Sequence, residues 1–115
     1  MASYNRVVLM GHLTSDPSSR QVGETTVCDI GVAVNERFKN REGEWQEQAV
    51  FVDVVAWGRQ AETCAEYLRK GSPVLVEGRL QLDHWQTRDG GMRSKLRVRA
   101  DRVQFLGAKG GGDDD

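Results

Sequence analysis

Apolar side chains recur at every second residue in segment after segment of this chain, and the period switches to that of a helix only once. Cys28, Ile30, Val32 and Val34 alternate with Asp29, Gly31, Ala33 and Asn35, the pattern of a half-buried strand. Val74, Val76, Leu80 and Leu82 alternate again, with Gly78 predicted at a bend or bulge. Between them, Ala61, Cys64, Ala65 and Leu68 stand at i, i+3, i+4 and i+7, which is one face of a helix. One such switch within 115 residues restricts the chain to a small β fold that carries a single helix.

The remaining punctuation completes the order. A first strand is predicted over 4–13, broken by Asp16-Pro17, with a short extended piece at 18–22. Residues 37–46 read as a polar loop and 47–57 as a third strand. The helix is predicted over 59–70, with Arg69 and Lys70 favouring its C-terminal end and Gly71 as the residue that ends it. Asp89-Gly90-Gly91 reads as a hairpin turn before a last strand that places Leu96, Val98 and Ala100 on one face. Three strands, a helix and two more strands is the order of an OB-fold, an all-β barrel with a little helix: five Greek-key strands, the helix lying between the third and fourth. A β-grasp or another α+β domain shares that string. The domain is expected to span 1–107, and the Gly/Asp tail 108–115, which drops all periodicity, is expected to be disordered.

Formal net charge is −1, so the bulk balance does not mark a nucleic-acid binder. Its distribution says more. Residues 79–102 hold seven basic side chains against three acidic, a local excess that suits an anionic partner and equally a solvated strand face. Cys28 and Cys64 form no CxxC pair, the first residues contain no apolar targeting segment, and no apolar run approaches membrane length. A reducing cytoplasm is therefore the expected location. Catalytic constellations are hard to build. His12 and His84 have no Cys or His at metal-ligand spacing, and the two cysteines lie on core faces. Asp89-Gly90-Gly91 precedes no helix, so it is no phosphate cradle. The expectation is a binding protein, not an enzyme, with neither metal nor cofactor.

Strand parity supplies a candidate surface. In the third strand Val50, Val52, Val54 and Ala56 share one face, and Phe51, Asp53, Val55 and Trp57 the other. In the fourth strand Arg79, Gln81, Asp83 and Trp85 oppose the apolar set. In the fifth, Lys95, Arg97, Arg99 and Asp101 do so. Aromatic and basic side chains thus share the faces that avoid the core. An unpaired nucleobase offers an apolar π-face and carries a charged phosphate, and those are the two partners it needs. Phe38, flanked by Arg37, Lys39 and Arg41, repeats the combination. The competing reading is a second core, in which Phe51 and Trp57 pack beneath a loop. Trp45 is read as structural, because nothing in the sequence fixes its orientation.

Several ordered motifs resemble a known family. Asn5-Arg6-Val7-Val8-Leu9-Met10-Gly11-His12-Leu13 followed by Asp16-Pro17, then Val54-Val55-Ala56-Trp57-Gly58-Arg59, then Glu66-Tyr67-Leu68-Arg69-Lys70-Gly71-Ser72 and Val74-Leu75-Val76-Glu77-Gly78-Arg79-Leu80 are similar to the bacterial and mitochondrial single-stranded DNA-binding proteins. The similarity covers about residues 4–106. It implies sequence-independent binding of single strands in replication, recombination and repair, with bases stacked on Phe38, Phe51, Trp57 and Trp85. Phosphate contacts are implied at Arg6, Arg59, Lys70 and Arg79, to which parity adds Arg97. Asp53 stands where the family often carries a basic residue. The resemblance also implies a homotetramer built by β-strand pairing and then sheet-to-sheet packing, with Val52 at a position associated with assembly. Family members usually end in an acidic, apolar-tipped tail that recruits replication and repair proteins; here the chain ends Gly110-Gly-Gly-Asp-Asp-Asp, so recruitment is expected only of a form carrying that tip. Two other readings stay open: a dimeric primosomal relative, and a module that uses the same sheet face for a protein partner.

Overall fold

The computed structural model of the chain describes residues 2–107, so the expected tail at 108–115 lies outside the described residues. Six strands and one helix follow in the order β1 (Val7–Leu13), β2 (Ser18–Val22), β3 (Thr25–Lys39), β4 (Trp45–Trp57), α1 (Arg59–Tyr67), β5 (Pro73–Gln86) and β6 (Met92–Phe105). The sheet runs β1-β5-β6-β4-β3, and β3 returns to β1 through His12–Ala33 and Leu13–Val32. Five strands therefore close into the OB barrel, with β2 added outside on β3. Every contact between neighbours is antiparallel except β4–β6, where Val54 and Val55 run parallel to Val98 and Arg99.

Closure requires backbone to approach backbone. A Cβ on Gly11 would overlap the Ala33 carbonyl where β1 passes from β5 to β3. A Cβ on Gly78 would overlap the Arg99 carbonyl. The register of β5 on β6 slips between Glu77 and Gly78, leaving Asp101 as the extra residue. The irregularity expected at Gly78 is thus real, but the additional residue belongs to the facing strand.

The core is Leu13, Cys28, Ile30, Val32, Val54, Ala56, Val74, Val76, Val98 and Ala100 from the strands, closed by Ala61, Cys64 and Leu68. Burial pushes the Cys64 thiol up to about 12 and raises that of Cys28 as well.

Several points differ from expectation, beginning with β1, which starts at Val7 and not at residue 4. The helix stops at Tyr67, because Leu68 turns extended and drops its side chain into the core. Gly71 has a positive φ of 91° but serves the following turn, where its N–H donates to the Leu13 carbonyl. Arg69 lies beyond the last turn, yet its Nη1 still donates to the Leu68 and Glu66 carbonyls. The polar loop expected over 37–46 is strand almost throughout. β3 and β4 stay paired out to Lys39–Trp45, and only residues 40–44 turn. The Asn40 carboxamide oxygen accepts from the Glu42 and Glu44 amides, and Gly43 takes φ 80°. Last, Leu80, Leu82 and Leu96 have the core parity expected of them but are half exposed, since β5 and β6 run on past the barrel.

Candidate nucleic-acid interface

The outer faces of β5, β6, β4 and β3 form one surface. Register places Trp85 beside Arg93, Asp83 beside Lys95, Gln81 beside Arg97 and Arg79 beside Arg99. Across β4 the row continues with Phe51, Asp53 and Trp57, then Asp29 on β3. Phe51, Trp57, Trp85, Arg79 and Arg97, which share the non-core faces by parity, lie on this one surface.

Their environments differ. Phe51 is 72% exposed and Trp85 44%. Trp57 is half buried, opposite the buried Val27, and the Arg99 guanidinium lies 5.0 Å from its ring centroid. It belongs to the surface and also covers it. Val27 and Val55 are buried on this face, whereas Phe51, which the competing reading packs beneath a loop, stands exposed.

The cations here are held by carboxylates. Arg97 Nε stands 2.8 Å from Asp83 Oδ2, an ion pair without an aligned N–H, and its Nη1 stands 3.7 Å from Asp29 Oδ1. Arg20 Nε donates to Asp29 Oδ2 at 2.8 Å, a bond that raises the Arg20 pKa. Lys95 pairs with Asp53, and the Gln81 amide donates to Asp83 at 2.8 Å. Asp53, where the resemblance implied a base, is the partner of a cation on the next strand. Thr14, Ser15, Asp16, Asp29, Asp53 and Arg97 line a solvent-open depression in this network. Each pair is part exposed, so it is worth about 0–1 kcal/mol and a competing anion can replace it.

The other expected residues lie around this surface. Arg6 precedes β1 and pairs with Glu77 at 3.6 Å. Arg59 opens α1 two residues after Trp57 and is exposed. Lys70 is exposed, and its backbone N–H donates to Asp16 at 2.8 Å, at the rim of the depression. Phe38 is not in a loop: it pairs with Gln46 within the ladder, on the face opposite Phe51. Trp45 is on the Phe51 face, 59% exposed, with Arg37 and Lys39 at 5.0 and 5.6 Å from its ring centroid. The six-residue spacing of Trp45, Phe51 and Trp57 was the signal for it, but it becomes usable only once 37–46 is known to be strand.

Comparison with known proteins agrees with this geometry. The profile described as the single-strand binding protein family matches residues 4–106. The single-stranded DNA-binding protein 2 of Chlorobaculum tepidum is 43% identical over 118 residues, covering all of this chain and 80% of the relative. That of Helicobacter hepaticus is 41% identical, covering 96% of this chain and 66% of the relative. The solved structure of a deletion mutant of the single-stranded DNA binding protein from Thermus aquaticus superposes with a TM-score of 0.82 at 31% identity, covering 93% of this chain and 52% of that one. By profile, sequence and fold together, this chain belongs to the single-strand binding protein family.

Proposed function

We propose that this chain binds single-stranded DNA without reading its sequence, covering strands exposed in replication, recombination and repair, and that it acts as a binding protein and not an enzyme. The observation that carries the reading is the continuous outer face on which Phe51, Trp57 and Trp85 alternate with Arg79, Lys95 and Arg97. Bases stack on rings of any sequence context, and phosphates exchange with the carboxylates that now hold the cations. Arg6, Arg59 and Lys70 extend the phosphate path at its margins. Phe38 contributes only to a strand that passes around the β3–β4 hairpin.

The chain acts in the cytoplasm, with the nucleoid, as a homotetramer. In support, Val8 and Met10 on the outer face of β1 are 56% and 61% exposed. Over Val7–Gly11 one edge of β1 has no ladder partner among the described residues. An apolar strand with an open edge invites antiparallel pairing with its own copy. Titrating tryptophan emission with oligo-dT, alongside light scattering, tests both parts: saturable quenching and a four-subunit mass are expected. Preference for duplex DNA refutes the function. Two subunits per particle favours the primosomal type of dimer, and unchanged emission with no binding favours a protein-interaction module.

A further inference from the structure

We propose that Trp45 is a fifth base-stacking position, at the far end of the β3–β4 hairpin; this inference rests on the reading of the chain as a single-strand binder. The β3–β4 ladder runs without a slip from Val27–Trp57 to Lys39–Trp45. Side chains alternate strictly along such a ladder, so Trp45, Phe51 and Trp57 share one face at intervals of six residues, about 20 Å apiece. A row of rings about 40 Å long thus leads from the barrel to the hairpin tip. Trp45 is 59% exposed and packs in no core cluster. Instead its ring is flanked by two cations of β3, Arg37 at 5.0 Å and Lys39 at 5.6 Å. These hold the ring in place by cation–π attraction and set positive charge within one nucleotide of it. The carboxylate on this face is Glu47, in register with Arg37. Among the residues paired in the ladder, the opposite face of the tip offers Phe38 with Glu36, Gln46 and Gln48, the nearest cation, Arg41, lying in the turn. Of the two aromatics near the tip, Trp45 therefore has the ring and the charge together. An extended strand running off the barrel along β4 meets it next.

The test uses the full chain. Trp45, Trp57 and Trp85 are the only tryptophans, so W57F/W85F leaves Trp45 as sole reporter while keeping two aromatic rings. Its emission is expected to be quenched on saturation with a long oligo-dT and little changed by an oligomer too short to leave the barrel. W45A is expected to lose roughly 5- to 100-fold in affinity for the long oligomer, W45F much less, with melting unchanged in both. Full binding by gel shift with constant Trp45 emission, or W45A binding long DNA as tightly as wild type, overturns the proposal and leaves the function standing. Failure of wild type to bind oligo-dT overturns the function and this proposal together.

Discussion

Phe51 and Trp57 occupy the same strand face at different depths, and this separates what their removal does. Phe51 stands clear of the barrel, so Phe51→Ala is expected to weaken oligo-dT binding by about 1–3 kcal/mol with the melting temperature unchanged. Trp57 also covers Val27. Trp57→Ala is expected to weaken binding similarly and to lower stability by about 1–3 kcal/mol, which denaturant titration reads directly. A Trp57→Ala protein that binds normally but melts early would assign the ring to the core alone. The cysteines give a second prediction at this scale. Their folded-state pKa values lie above the ordinary thiol value, that of Cys64 at about 12. The stability they lend is therefore present below about pH 9, where unfolded thiols begin to ionise, and is lost as pH rises toward 12. Native protein at pH 8 is expected to leave both thiols unreacted with a disulfide reagent until it unfolds. Much of this was legible in the sequence: alternation gives the faces of Phe51, Trp57 and Trp85 without a structure. The partners of Arg97 and Lys95 were not, because Asp29, Asp83 and Asp53 reach these cations only once three separate registers are known.

The two long hairpins are where composition misleads. β3–β4 beyond Val50 and β5–β6 beyond Gln81 are polar or exposed on both faces. Hydrophobic alternation, the signal for strands, fades there while backbone pairing continues. A stretch stitched by main-chain bonds and an Asn40 turn looks like a loop in sequence. The helix end departs from the periodicity for a related reason: Leu68 fits the helical period, but its burial is achieved in extended backbone. The elements should differ in local stability accordingly. Amides of 36–48 and 83–95 are expected to exchange hydrogen orders of magnitude faster than those of Val32, Val54, Val76 and Val98, as mass spectrometry of exchanged protein would show. Equal protection would mean that both hairpins are covered, as an assembly contact would cover them. Across the elements, β6 supplies cations and its neighbours supply carboxylates. Asp53→Asn frees Lys95, so affinity is expected to rise and the log–log salt slope to steepen by about 0.7 if one more phosphate is bound. An unchanged slope would show that Lys95 lies off the DNA path.

The described residues form a small closed barrel that carries apolar side chains on its outside. Val8, Met10, Leu80, Leu82 and Leu96 are all about half exposed or more. Met10→Glu on β1 is expected to lower the particle mass by light scattering while the barrel stays folded by circular dichroism; a four-subunit mass in that variant would place the assembly surface elsewhere. The paired charges of the outer face bear on time more than on strength. When a phosphate leaves Arg97, the Asp83 carboxylate is already 2.8 Å away, so release need not pass through a bare, poorly solvated cation. The barrier to letting go is lowered along with the gain on binding, and a second strand can enter as the first departs. Such a protein hands DNA over instead of locking it away. Stopped-flow chase with excess competitor should show it: wild type releases its strand faster than Asp83→Asn, and by a larger ratio the more competitor is present.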